Sequence, residues 1–239
     1  MRKAGALTAQ ARALAESMIA PGVTTLEIDG AVRELIEKAG ACPAFLGYNG
    51  FPNSICISVN EEVIHGIPSP RVIQAGDIVS VDVGVVLDGF YGDCATSVIA
   101  GEASAEVKTL VDVTRQSFYE GLQFCKVGYR ISDISHAIQA YAESHGFSVV
   151  RDFIGHGIGR SLHEAPEVPN FGKPGRGIRL EAGMTLAIEP MINAGVSDIS
   201  ILDDGWTVVT ADGKLSAHYE NTVLITDGEP EILTRLGEQ

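Results

Sequence analysis

Apolar positions along the chain change period in a regular order. Leu7, Ala11, Leu14 and Met18 recur at helical spacing, and Pro21-Gly22 ends the run. Thr24 followed by Glu27 is a capping box, which predicts a second helix through Leu26, Ala31, Leu35 and Ile36, closing near Gly40. An aromatic loop rich in Gly, Pro and Asn comes next, then a short strand over Cys56–Val59. Over Ile78–Val98 the period becomes two: Val79, Val81, Val83 and Val85 alternate with Ser80, Asp82, Gly84 and Val86. Asp88-Gly89 is a two-residue hairpin signal. With those two residues in the turn, Gly84 pairs with Asp93, and Asp82 lies diagonally across from Asp93 on the same face. Ser104 opens a long helix through Val107, Leu110, Val111, Phe118 and Leu122. Ser132-Asp133 caps a fourth helix through Ile134, Ala137, Ile138 and Tyr141, ending at Gly146. Residues 147–181 read as loop, and strands are expected at about Met184–Ile192, Trp206–Thr210 and His218–Ile225.

Two helices followed by strands, twice over, points to an internal repeat. Gly22, Ile28, Ala31 and Gly40 recur as Gly128, Ile134, Ala137 and Gly146, and Ile73-Gln74-Ala75-Gly76 recurs as Leu180-Glu181-Ala182-Gly183. That register sets Glu189 opposite Asp82, and the last strand sets Glu220 opposite Asp93. His65-Gly66-Ile67 echoes His156-Gly157-Ile158. The expected organisation is one domain over 1–239, with halves of about 5–100 and 101–228 whose acids converge at a central seam, where pockets tend to form.

Two acids on one face of a valine-rich hairpin admit two readings: a solvated outer face, or carboxylates sharing a divalent cation that removes their repulsion. The matching acids downstream favour the second. Four carboxylates and a histidine suit two divalent metals roughly 3.5 Å apart that activate water for hydrolysis. Without thiolate ligation, Mn, Fe, Co or Zn all fit such a set. Composition narrows the class further. With 45% hydrophobic and 20% charged residues the chain reads as an ordinary globular protein, and a net charge of −14 argues against DNA or other phosphate-backbone binding. Cys42, Cys56, Cys94 and Cys125 show no CxxC spacing, so free thiols in a reducing cytoplasm are expected rather than a structural zinc site. Met1-Arg2-Lys3 followed by alanines faintly resembles a signal peptide, but Gln10, Arg12 and Glu16 interrupt its apolar core. No run reaches membrane-spanning length.

The segments VIHGIP, VDVGVVLDGFYGD, IGHGIGRSLHEAP, TLAIEPMI and DGWTVVTADGKLSAHYENTVLIT together resemble type I methionine aminopeptidases, essentially end to end. The resemblance implies the α/β pita-bread fold, in which pseudo-twofold halves share a curved antiparallel sheet flanked by helices. It implies Asp82, Asp93 and Glu220 on one metal and Asp93, His156, Glu189 and Glu220 on the other. Glu189 becomes the proton shuttle, His163 the contact to the scissile carbonyl, and His65 the contact to the substrate's peptide nitrogen. A monovalent cation near Asn60, Glu62 and Ser216 is a further implication. Tyr48, Phe51, Cys56, Leu162 and Trp206 would line a methionine pocket, with Phe45 and Ile64 nearby. Leu162 stands where an aromatic is common and Phe45 where a small residue is common, so the two changes compensate in volume.

The activity so implied is removal of the initiator methionine from nascent chains whose second residue is small, by a cytoplasmic monomer in transient contact with ribosomes. Two other readings stay open: an Xaa-Pro peptidase on the same fold, and a metal-free binding protein that has kept it.

Overall fold

The computed structural model describes residues 1–236. Four helices, α1 (Arg2–Met18), α2 (Thr25–Lys38), α3 (Ala105–Leu122) and α4 (Ile131–Ser144), lie against short antiparallel strands. The α2 capping box forms: Glu27 N–H donates to Thr24 Oγ1 at 3.2 Å, and Thr24 N–H donates to Glu27 Oε2 at 2.8 Å. Ser104 caps α3 by accepting from Val107 N–H at 3.3 Å. Helix α4 is capped two residues earlier than Ser132-Asp133 implies. Its cap is Arg130, whose N–H donates to Asp133 Oδ2 at 2.8 Å, while the Ser132 hydroxyl is drawn off to Arg176 O.

The strands Ile78–Leu87 and Phe90–Ile99 form the hairpin in the anticipated register, with Gly84 opposite Asp93 and Asp82 opposite Ala95. Asp88 and Gly89 both take positive φ, 52° and 76°, as a tight turn matched to strand twist requires. Cys56–Val59 pairs along Ile78–Leu87 and sets Cys56 opposite Asp82.

The second block copies much of the first. The bridge between Thr24 and Val72 has its counterpart between Arg130 and Arg179. Matched glycines share backbone conformation: Gly22 and Gly128 at φ 96° and 98°, Gly76 and Gly183 at 93° and 95°. One apolar cluster packs α1 and α2 on the valines of the hairpin. A second packs Phe118, Ile134 and Ile138 of α3 and α4 on Leu186, Ile188 and Val223.

Three further expectations change. Within 147–181 the chain forms strands at Ser148–Val149, Gly155–Gly157 and Glu164–Val168, so His156 sits on a strand rather than in a loop. The long strands expected downstream are broken: Thr185–Ile188 and Met191–Asn193 flank Glu189-Pro190, and Ser216–His218 and Asn221–Leu224 flank Tyr219-Glu220. Proline lacks the N–H that would continue the ladder, which accounts for the first break. The echo of His65-Gly66-Ile67 in His156-Gly157-Ile158 is local only. His156 pairs beside Thr185–Ile188, whereas His65 follows Glu62–Ile64, which pairs with Val208–Thr210.

Candidate metal centre

Backbone geometry fixes the acids before their side chains meet. Asp82 and Asp93 project from the same face of the hairpin, and Glu220 is joined to that hairpin from the other half. Glu220 N–H donates to Ala95 O at 2.9 Å, and Ala95 N–H donates to Glu220 O at 3.2 Å. Glu189 is held at its strand break by buried Asn170, whose Nδ2 donates to Glu189 O at 3.0 Å.

Ligand atoms of Asp93, His156 and Glu220 lie within 4.8 Å of one another, and so do those of Glu189, His218 and Glu220. Asp82 is in neither group; its carboxyl meets that of Asp93. His156 Nε2 is 3.6 Å from Glu189 Oε1. Its other ring nitrogen, Nδ1, lies 2.9 Å from Gly157 O, so the proton sits on Nδ1 and the Nε2 lone pair faces the acids.

Burial drives the electrostatics. Asp93, Glu189 and Glu220 are pushed well above the usual carboxylate range, first by desolvation and then by the other acids of the group. Asp82 is raised by burial and partly relieved by its contact with Asp93. Burial holds His156 and His65 neutral, with pKa values lowered to about 4, and His218 lowered to about 3. Asp82 Oδ1, Asp93 Oδ1 and Glu220 Oε1 are buried with no hydrogen-bond partner. Buried polar atoms rarely remain unpaired. A group of mutually repelling carboxylates with three idle oxygens and a lone pair aimed among them fits divalent cations, whose charge would resolve both defects. Oxygen and imidazole donors accommodate Mn, Fe, Co or Zn.

These acids line a cavity of about 400 Å³ with His65, His156 and His163. A wider cleft of about 690 Å³ beside Arg2 and Glu164 contains no such cluster. His163 is the most open of the three histidines; its Nδ1 lies 2.8 Å from Tyr48 Oη, and its ring is 4.2 Å from that of His156. His65 stands edge-on to Phe153 and Trp206, and Phe51 is edge-on to Trp206 at 5.2 Å. Tyr48, Phe51, Cys56, Leu162 and Trp206 all line the cavity, as does Phe45. Ile64 is buried behind it in a separate cluster with Val208. The Phe45 ring packs on Gly84, where a Cβ would stand 2.5 Å from Phe45 Cε1, so the hairpin needs glycine there.

Asn60, Glu62 and Ser216 lie together at one turn. Ser216 N–H donates to Asn60 O at 2.9 Å, Glu62 accepts from Val59 N–H and pairs with Arg71 at 2.7 Å, and Ser216 Oγ donates to Asn193 Oδ1. These bonds tie the three residues into one turn, around whose backbone oxygens the monovalent cation is expected.

Five residues at the site were absent from the sequence reading. Asn49, Asp152, Phe153 and Ile154 line the cavity, and His218 stands behind Glu220. Nearness to His156 in RDFIGH could have pointed to Asp152 and Phe153; nothing local marks His218.

A two-block antiparallel fold closing on a buried set of acids and imidazoles defines a metal-dependent hydrolase. Residues 1–227 match metallopeptidase family M24, and the chain belongs to that family. It is 56% identical to a methionine aminopeptidase of Clostridium perfringens over 234 residues, covering 98% of this chain and 94% of that protein. Among solved structures it resembles the methionine aminopeptidase of Thermotoga maritima, with TM-score 0.97 and 48% identity over 98% of this chain and 95% of that one. A prolidase from Pyrococcus horikoshii shares the fold at TM-score 0.77 and 20% identity, covering 100% of this chain and 61% of that one. The architecture is the pita-bread fold of these enzymes.

Proposed function

We propose that the protein is a methionine aminopeptidase, cleaving the first peptide bond of polypeptides that begin with methionine and a small second residue. The observation that carries this reading is the set of idle, buried carboxylate oxygens facing a cavity of about 400 Å³. Relatives as similar as the Clostridium perfringens enzyme support the substrate.

Asp82, Asp93, His156, Glu189 and Glu220 would hold two divalent cations, with Asp93 and Glu220 shared. When bound, the cations polarise the scissile carbonyl and make water acidic enough to attack it. The remaining work belongs to the chain. Glu189, whose burial raises its affinity for a proton, takes the proton from the attacking water and delivers it to the leaving amine. Tyr48 Oη lies 2.8 Å from His163 Nδ1; with that hydroxyl as the donor, the His163 proton sits on Nε2, where it meets the carbonyl oxygen of the substrate. His65, neutral through burial, meets the peptide nitrogen. Phe51, Cys56, Leu162, Trp206 and Phe45 enclose the methionine side chain and exclude water. Cytoplasmic location, a monomeric state and transient ribosome contact belong to the same proposal. Among the described residues, no helix is long and apolar enough to cross a membrane.

The test strips the protein with chelator, restores Mn or Co, and compares Met-Ala-Ser with Xaa-Pro peptides. Metal-dependent methionine release from the first alone is expected. Cleavage only of Xaa-Pro substrates, or no metal-dependent release, overturns the reading.

A further inference from the structure

His218 is the one histidine buried among the acids that the proposed mechanism leaves without a task. Its backbone is locked: His218 N–H donates to Ser97 Oγ at 2.9 Å, and the Ser97 hydroxyl donates back to His218 O at 2.9 Å. Ser80 Oγ lies 2.7 Å from Ser97 Oγ and completes the clamp. The ring is 2% exposed, and its Nε2 has no hydrogen-bond partner. That nitrogen is 3.8 Å from Glu220 Oε2, and Glu189 completes the same group within 4.8 Å. His218 does not line the cavity, so the ring stands behind the carboxylates, away from substrate.

We infer that His218 is a positioning residue: its Nε2–H steadies the Glu220 carboxylate from the buried side, so that Glu220 presents its oxygens to the cations. This rests on the metal site proposed above and adds a determinant of its affinity. A carboxylate that bridges cations has lone pairs left over, and outer donors that occupy them fix its orientation. The distance of 3.8 Å exceeds a hydrogen bond, so the donor is close to Glu220 without being committed to it. Ser97 holds the backbone of His218 in place, leaving the adjustment to the two side chains. The clamp also spans the two halves, because Ser80 and Ser97 belong to the hairpin and His218 to the last strands.

The test is calorimetric titration of the chelated protein with Co(II) for wild type, His218→Leu, His218→Gln and His218→Asn, with circular dichroism as the check on folding. His218→Leu is expected to weaken binding by about 10- to 100-fold. The amide of His218→Gln reaches as far as Nε2 and is expected to recover most of that loss. The shorter side chain of His218→Asn is not. Wild-type affinity in His218→Leu overturns the inference, and so does a loss that glutamine fails to recover. If His218→Leu does not fold, equal affinity in the Gln and Asn variants overturns it. A wild-type protein that takes up no Co(II) overturns the metal site itself and this inference with it.

Discussion

Asp93 and Thr222 are bound to each other in both directions across the two halves. Asp93 N–H donates to Thr222 Oγ1 at 3.1 Å, and the Thr222 hydroxyl donates to Asp93 O at 2.9 Å. Thr222 is fully buried and lies two residues beyond Glu220, so its hydroxyl joins the Ala95–Glu220 backbone pair in setting the spacing of the two acids proposed as bridges. Thr222→Val keeps the shape and removes both bonds, leaving a buried N–H without an acceptor. A loss of about 1–3 kcal/mol in urea unfolding is expected, with Thr222→Ser close to wild type. Equal stability of the valine variant would show that the hydroxyl is dispensable.

Asp93→Asn and Glu220→Gln separate ligand loss from misfolding. Each is expected to lower peptide turnover by at least about 100-fold, because each replaces a carboxylate shared by the two proposed cations with a neutral amide that keeps only one oxygen donor. Neither should lower the Tm of the chelated protein. In that state the acids repel one another in a buried site, and a neutral amide relieves the repulsion. Turnover near the wild-type rate would contradict a shared pair of cations. A large fall in the metal-free Tm would instead mark these acids as structural.

Legibility followed the range of the interactions. The hairpin was readable because alternation and a two-residue turn are local, and together they determine which residue opposes Asp93. Helix starts were readable where a side chain caps its own helix, as at Thr24 and Ser104. They were misjudged at Arg130, because Ser132 bonds to Arg176, 44 residues away. The strand carrying His156 is three residues long, too short to show a period. Pro190 is a local signal for the break at Glu189 that the expected strand over Met184–Ile192 ran through, and no comparable signal marks Tyr219-Glu220. His218 was invisible for a similar reason: its setting is made by Ser97 and Ser80, more than a hundred residues upstream.

Phe45 and Leu162 share one apolar cluster beside the acids, which offers a direct test of volume compensation. Phe45→Ala should cost about 3–5 kcal/mol by leaving a cavity. Leu162→Phe should cost about 1–3 kcal/mol by crowding the Phe45 ring, which already rests on Gly84. In the double variant the new ring fills the space the old one left, and a favourable coupling of about 0.5–3 kcal/mol is expected in a double-mutant cycle. Strict additivity would mean that the two side chains do not exchange volume.

The pH dependence of metal stabilisation has a definite sign. Asp82, Asp93, Glu189 and Glu220 all have folded pKa values above their ordinary range, chiefly through burial. The metal-free folded state therefore keeps protons that the unfolded chain has released above about pH 4. The stability these acids contribute falls as pH rises from there through the raised folded values. Cations compete with the same protons, so their effect should be small where the acids are protonated and large where they are not. His156 does not reverse this trend, since its pKa, lowered to about 4, leaves it neutral as a ligand throughout. His65, His156, His163 and His218, all depressed by burial, tilt the metal-free baseline the other way, stabilising the fold as pH rises through the ordinary histidine range. Taking the difference between metal-loaded and chelated protein removes their share. The gain in Tm on adding Mn should accordingly grow between about pH 5.5 and about pH 8 when followed by scanning calorimetry. A gain that stays constant or shrinks over that range would mean that the cations do not replace protons on these four carboxylates.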